Sequence, residues 1–216
     1  MALKHFLYRC PACGHDPMEG RGDVATCPSC TLLIDRKATG TTCLRLHLRG
    51  REDAPIEVPV ATLADRITAH GGALTRATHS DGSLAYEAEV RVQTAGSEMP
   101  IRYRRRLLGF AERFGAGTPG ILRLSDDALA LRSPVLADAP STRRWALEEI
   151  RSLQTSSSAV QITTQTEGVV LFRFTEDSPR RWDELLRHAI AERWKRLGKG
   201  TVQEFQPRIR AEGAPA

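Results

Sequence analysis

Four of the five cysteines stand in two pairs, Cys10-Pro11-Ala12-Cys13 and Cys27-Pro28-Ser29-Cys30, with thirteen residues between them. Two cysteines three apart across a tight turn bring both sulfurs to one ion. Two such turns complete a tetrahedral four-thiolate shell with sulfur about 2.3 Å from the metal. Proline inside each turn fixes φ, and Gly14 tolerates the positive φ that aims backbone N–H groups at sulfur. A full thiolate shell is a structural site, because a catalytic zinc keeps one position open for water or substrate. The pattern predicts one structural Zn2+ on Cys10, Cys13, Cys27 and Cys30, with iron in the same cage as the alternative on ligand softness. His5 and His15 are expected beside this shell and not in it. Cys43 is expected to be a small buried hydrophobe.

No other set of residues has the spacing of a reaction centre. The sequence lacks G-x-S-x-G, H-E-x-x-H and a Walker glycine run, and its six histidines are scattered. His79-Ser80-Asp81 holds three catalytic residue types in a row, but a triad meets in space and adjacent side chains rarely do. The chain is therefore expected not to be an enzyme, and no small-molecule substrate is evident.

Length and composition set the frame for these residues. A chain of 216 residues suits one large domain or several small ones, typical domains having roughly 100 to 150 residues. With 41% hydrophobic and 26% charged residues it has an ordinary globular composition. No apolar run approaches the roughly 18 residues that span a bilayer, and Met1–Tyr8 lacks the features of a signal peptide. Paired free thiols suit a reducing compartment, so a cytoplasmic location is expected. The net charge of +5 is uneven: +3 over residues 1–50, zero over 51–115, −2 over 116–179 and +4 over 180–216.

Val24-Ala25-Thr26 is expected to lead into the second cysteine turn as a strand, and Leu32-Leu33-Ile34 to leave it as another. From His5 to about Arg36 the chain resembles a zinc ribbon, which implies a small three-stranded sheet with the two turns at its end. Beyond Cys43, the alternation Leu44-Arg45-Leu46-His47-Leu48-Arg49 predicts a half-buried strand. Val60–His70 is expected to be a short helix with Thr62 as cap, ended by Gly71-Gly72. Leu84–Thr94 and Ile101–Leu107 are expected to form a hairpin across Ala95-Gly96-Ser97-Glu98. In that register Glu87, Glu89 and Arg91 would face Arg102, Arg104 and Arg106. The basic run Arg102-Tyr103-Arg104-Arg105-Arg106 would then be a solvated strand face neutralised by its own glutamates.

After the turn-rich joint 115–120, strands are expected at Ile121–Leu124, Ala128–Arg132, Arg144–Leu147, Ile150–Gln154, Ala159–Thr164 and Val169–Phe174. An amphipathic helix follows, with Ser178 as cap, Pro179 at its first position and Trp182, Leu185, Leu186, Ala189, Ile190 and Trp194 on one stripe. The Gly120–Leu129 run, Trp145-x-Leu147-x-x-Ile150, Phe172-x-Phe174 and the helix from Arg181-Trp182 resemble the pleckstrin-homology-like family in its GRAM and bacterial branches. The resemblance implies a split barrel that binds phosphoinositide headgroups or protein segments. Ser125-Asp126-Asp127, where that family carries basic residues, turns the expectation toward protein.

The expected fold class is α+β, mainly β: a zinc ribbon over 1–43, an α+β segment with a hairpin over 44–117, a PH-like domain with a C-terminal helix over 118–200, and a basic tail over 201–216. The leading expectation is a non-catalytic adaptor with a protein partner, as a subunit of a larger assembly. The alternatives are nucleic-acid binding through Arg9, Arg21, Arg36, Lys37, Arg102, Arg104, Arg105 and Arg106, and weak peripheral binding to anionic membrane lipid through the PH-like domain or the basic ends.

Overall fold

The computed structural model describes residues 2–36, 43–47, 55–133, 142–156 and 158–200. The expectations for Lys37, for Leu48-Arg49 and for the 201–216 tail lie outside the described residues.

A short helix α1 (Leu3–Phe6) precedes β1 (Val24–Thr26), β2 (Leu33–Arg36), β3 (Cys43–His47) and β4 (Ile56–Pro59). These strands pair in sequence order as one antiparallel sheet. Alternation decides its faces: Ile34, Leu44 and Leu46 are buried, while Asp35 faces outward and accepts from Arg45 Nε and pairs with His47 Nε2, both at 2.7 Å. The sheet is thus four-stranded and not three-stranded. The boundary expected at 43/44 falls at the start of β3, and Cys43 is half-buried.

Helix α2 (Val60–Ala69) places Leu63 and Ile67 in the core at i and i+4. It starts after Pro59 with no side-chain cap, so Thr62 does not have the expected role. A turn of helix, α3 (Leu74–Ala77), leads to the second sheet.

That sheet is built from β5 (Ala85–Tyr103), β6 (Arg106–Phe114), β7 (Thr118–Ser125), β8 (Ala128–Arg132), β9 (Thr142–Ala146), β10 (Ile150–Thr155), β11 (Ala159–Thr164) and β12 (Gly168–Phe174). Its order is β10-β11-β12-β5-β7-β8-β9, with β6 paired to β5 outside that path. Strand β5, assigned from sequence to the middle segment, is therefore the central strand of the C-terminal sheet. The boundary expected at 117/118 cuts through it.

The hairpin expected at 95–98 does not form there. Strand β5 runs straight through Ala95-Gly96-Ser97-Glu98 and turns at Arg104-Arg105, so that Tyr103 faces Arg106. Alternation favoured a strand on both sides of 95–98, and those residues are as compatible with strand as with turn. Glu87 and Glu89 consequently pair across β7, opposite Arg123 and Ile121. They do not neutralise Arg102–Arg106. Those five residues are exposed at the hairpin tip. Replacing Arg104 and Arg106 together by Glu is expected to change the unfolding free energy by less than about 0.5 kcal/mol, as for other exposed sites, in a urea titration.

Consecutive strands β9 and β10 form the two edges of the main path, yet only Leu147–Glu149, one 3-10 turn, joins them. Four residue steps from Ala146 to Ile150 reach at most about 14 Å, so the sheet must curl until its edges approach. The result is an open, curled sheet, and no ladder pairs β9 with β10 among the described residues. Helix α4 (Pro179–Arg196) packs on β10, β11 and the 3-10 turn. Ser178 caps it through Arg181 N–H at 3.1 Å, Pro179 occupies the first turn, and Gly198 at φ +64° ends it. Its buried stripe, Trp182, Leu185, Leu186, Ala189 and Ile190, meets Leu122, Leu129, Trp145, Val160, Ile162 and Phe172 in one continuous core.

Arg193 on α4 clamps Glu148 of the 3-10 turn with two bonds of 2.9 and 3.0 Å. The bonding to Arg193 holds the Glu148 carboxyl down at about 2, below its ordinary 4.5. A carboxyl with a lowered folded-state value stabilises the fold above the unfolded value and loses that contribution as pH falls. Glu148→Gln should therefore flatten the stability decline between pH 4.5 and about 2, measured by thermal melts across that range.

Candidate metal centre

The two cysteine turns have nearly the same backbone. Cys10 N–H donates to His15 O and Cys27 N–H to Leu32 O, both at 2.8 Å; Gly14 N–H donates to Cys10 O and Thr31 N–H to Cys27 O, both at 2.9 Å. Each turn closes on a residue of left-handed conformation, Gly14 at φ +75° and Thr31 at φ +57°. This repetition places the four sulfurs together, all within 4.8 Å of one another. Cys10 Sγ lies 3.6 Å from Cys30 Sγ, and Cys13 Sγ lies 3.6 Å from Cys27 Sγ. A tetrahedron with sulfur about 2.3 Å from its centre has edges of about 3.8 Å, so the spacing and the donor set fit a single thiophilic ion.

Backbone N–H groups of Ala12 and Cys30 point at Cys10 Sγ and Cys27 Sγ at 3.4 Å, as expected for donors that disperse thiolate charge. Burial pushes the Cys10 thiol up. Cys13 lies at the solvent edge, where slight burial is outweighed by the His15 backbone N–H and by the neighbouring thiols, and it is pulled down to about 7. His5 and His15 are outside the sulfur cluster.

The two left-handed positions predict opposite responses. A Cβ on Gly14 would lie 3.1–3.3 Å from the His70 side chain on strained backbone, so Gly14→Ala should destabilise by about 1–2 kcal/mol. Thr31 already carries that strain on a β-branched residue, so Thr31→Gly should gain about 0.5–1 kcal/mol. Urea titrations of the two variants, side by side, check both signs.

The cysteine unit is fixed to the curled sheet by a buried ionic junction. Asp16, in the loop between the cysteine turns, pairs with the Arg181 guanidinium of α4, and their side chains are 5% and 3% exposed. Arg181 also bonds Asp177 at 2.9 Å and the Tyr86 hydroxyl, and its guanidinium lies over the Tyr8 ring at 4.8 Å. Burial opposes its charge, but Asp177, Tyr86 and Asp16 outweigh burial and hold its pKa above the ordinary value. Burial pushes the Tyr86 phenol up to about 12. Tyr8 donates to Glu184 at 2.5 Å, and Ser178 Oγ donates to His5 O.

Arg9, a candidate for nucleic-acid contact, belongs to this junction. It is 4% exposed, donates to His70 O at 2.7 Å and faces Asp16 at 3.6 Å. It therefore cannot serve as a surface contact. Arg21 and Arg36 are exposed at the cysteine unit, with Arg36 3.4 Å from Asp23, while Arg102, Arg104, Arg105 and Arg106 are at the hairpin tip. The candidates thus fall on three separate elements. Sequence reasoning missed Asp16 and Arg181, although one signal was present. Arg180 and Arg181 occupy the first turn of α4, where the helix dipole disfavours cations, so such an arginine needs a carboxylate from elsewhere.

Beside the junction, a cleft of about 590 Å³ opens between the cysteine unit and the sheet, with Lys4, Glu19, Arg76, Glu87, Glu89 and Glu176 among its walls. Glu176 is paired with Lys4 at 3.1 Å and Glu87 with Arg123 at 3.6 Å, but five carboxylates (Glu19, Glu87, Glu89, Glu176 and Asp177) line the cleft against Lys4, Arg76 and Arg181, so it is acidic on balance.

No protein-family model matches the chain, and no curated protein matches it. Solved structures with a related outline include the N-terminal PH domain of human ARAP2, at 10% identity over 57% of this chain and 93% of that one, with a TM-score of 0.34. The C-terminal domain of an unknown protein from Leishmania infantum matches at 11% identity over 47% and 81%, with a TM-score of 0.30. A human RhoA complex with the DH/PH fragment of PDZRHOGEF matches at 13% over 61% and 42%, with a TM-score of 0.28. These scores are too low to establish a shared fold, and the architecture rests on the strand order. The class that order and the cysteines define is an α+β, mainly antiparallel protein with a four-cysteine cluster whose geometry suits a metal ion. Among the described residues no helix is long and apolar enough to cross a membrane.

Proposed function

We propose that the protein is a non-catalytic adaptor of the cytoplasm, in which a zinc ribbon and a PH-like sheet act as one body and receive a protein partner. The observation that carries this reading is the Arg181–Asp16 junction, which locks the two units together and leaves an acidic cleft between them. The sulfur spacing and the doubled cysteine turns support Zn2+ as the ion and the ribbon as its holder. The seven-strand path with consecutive strands at opposite edges and a C-terminal helix across the curl supports the PH-like assignment. The partner is a protein segment bearing lysine or arginine, because Glu19, Glu87, Glu89 and Glu176 line the cleft. Burial of Arg9 removes one basic residue from the nucleic-acid reading.

The test is capture of partners by zinc-loaded protein from nuclease-treated and untreated extract, with Glu87→Lys/Glu89→Lys alongside. A protein that survives nuclease and is lost on charge reversal is expected. Capture that vanishes with nuclease, or that ignores charge reversal, overturns the reading.

A further inference from the structure

From Ala95 onward β5 pairs, among the described residues, with β6 alone, since β7 pairs only as far as Val92 and β12 only as far as Thr94. The nine residues Ala95–Tyr103 extend about 30 Å, so β5 and β6 leave the body as a two-stranded arm. Of the eight large apolar residues that are exposed among the described residues, five are on this arm: Met99, Ile101, Tyr103, Leu107 and Leu108. Tyr103 and Leu108 are 63% and 62% exposed. Over residues 97–109 there are four arginines against a single glutamate.

Register shows how the two chemistries are mixed. Met99, Ile101 and Tyr103 share one face, and Tyr103 pairs with Arg106. Arg102 pairs with Leu107 on the other face. Leu108 is the extra residue at the register shift between the pairings Ile101–Gly109 and Arg102–Leu107. Both faces of the tip are therefore apolar and cationic together. A groove on a folded partner would cover one face and leave the other in water. A nucleic-acid groove would pair the arginines but leave four aliphatic side chains without an apolar surround. An anionic bilayer interface satisfies both faces: phosphates surround the guanidiniums, the acyl boundary takes Ile101, Leu107 and Leu108, and a tyrosine is at home at that depth.

We propose that the arm is a membrane-docking device, whose tip from Met99 to Leu108 enters the headgroup layer of an anionic bilayer. This goes beyond the adaptor reading and uses a surface separate from the acidic cleft. The contact is peripheral, since the arm is too short in apolar residues to span, and it is strengthened by anionic lipid and weakened by salt.

The test is flotation of the full-length, zinc-loaded protein with phosphatidylcholine vesicles and with an equal mixture of phosphatidylcholine and phosphatidylglycerol. Binding is expected to the mixed vesicles only. Arg104→Gln/Arg105→Gln should weaken it roughly thirty-fold, at about a factor of five per arginine. Ile101→Ser/Leu108→Ser should weaken it about tenfold with every charge retained. Unchanged thermal midpoints in both variants separate lost docking from lost folding, and if one variant fails to fold the other carries the test. No flotation, equal flotation with neutral vesicles, or no effect of the serine variant overturns the proposal. So does duplex DNA or single-stranded RNA bound through the same arginines in place of vesicles.

Discussion

Cys10→Ser should leave the protein without its ion and unfold the cysteine unit. The sulfur of Cys10 is fully buried at the centre of the four-thiolate cluster, whereas Cys13 lies at the solvent edge. A serine hydroxyl cannot act as a soft anionic ligand, and in this position it becomes a buried polar group as well. Structural zinc supplies about 10–16 kcal/mol of folding free energy in peptides that depend on it, more than a sheet of such short strands gains by its own burial. The damage should spread, because Leu3, Leu7 and Tyr8 of this unit are buried in the core shared with Trp182 and Leu186. Metal analysis should give about one zinc per chain in the wild type and none in the variant, with the remaining thiols open to a thiol reagent. A soluble, zinc-free variant with unaltered thermal midpoint would refute the assignment. Cys13→Ser should be milder, since that position admits water as a replacement ligand.

The second large effect is expected at the junction. Arg181→Ala removes the cation that bonds Asp16 and Asp177 together, leaving Asp16 to Arg9 and Arg76 at 3.6 and 3.2 Å and Asp177 to the N–H groups of Trp182 and Ser178, all at a site that water reaches poorly. Breaking a buried ion pair from one side costs about 3–5 kcal/mol, and because both carboxylates keep other partners this variant should lie at the low end, about 3 kcal/mol. At roughly 2–4 °C per kcal/mol for a chain of this size, the midpoint should fall by about 10 °C. Asp16→Ala should cost less, since Asp177 and Tyr86 still hold Arg181. The double variant should lose less than the sum of the two, and urea titration of the cycle measures that coupling. Strict additivity would show that the two residues do not act together.

The residues that lie close in sequence were legible from it. The sulfur cluster follows from C-x2-C turns, which fix their own geometry, and the strands and helix after residue 118 follow from short-range alternation and capping. Phe174 and Trp182 stack at 5.3 Å, as expected of residues on an inward-facing strand and an inward-facing helical stripe. The middle of the chain was read less well. Residues 84–107 have alternation on both sides of a turn-compatible Gly96-Ser97, and local preference cannot tell a hairpin there from one long strand. The long strand forms because β7 and β12 pair with its first half, contacts made by residues about 30 and 80 positions away. The arm follows from that choice, since among the described residues the second half of β5 pairs with β6 alone.

The sequence alone determined the four-cysteine cluster, its two turns and the amphipathic helix, because each depends on spacings of a few residues. Tertiary structure decided the rest. It put Arg9 inside, spending its charge on His70 and Asp16, and brought Asp16 to Arg181 across 165 positions. It also carried Arg102–Arg106 away from the glutamates expected to neutralise them. Charge and burial at these positions are set by what the chain meets when the sheets assemble, and no local pattern encodes a partner that distant.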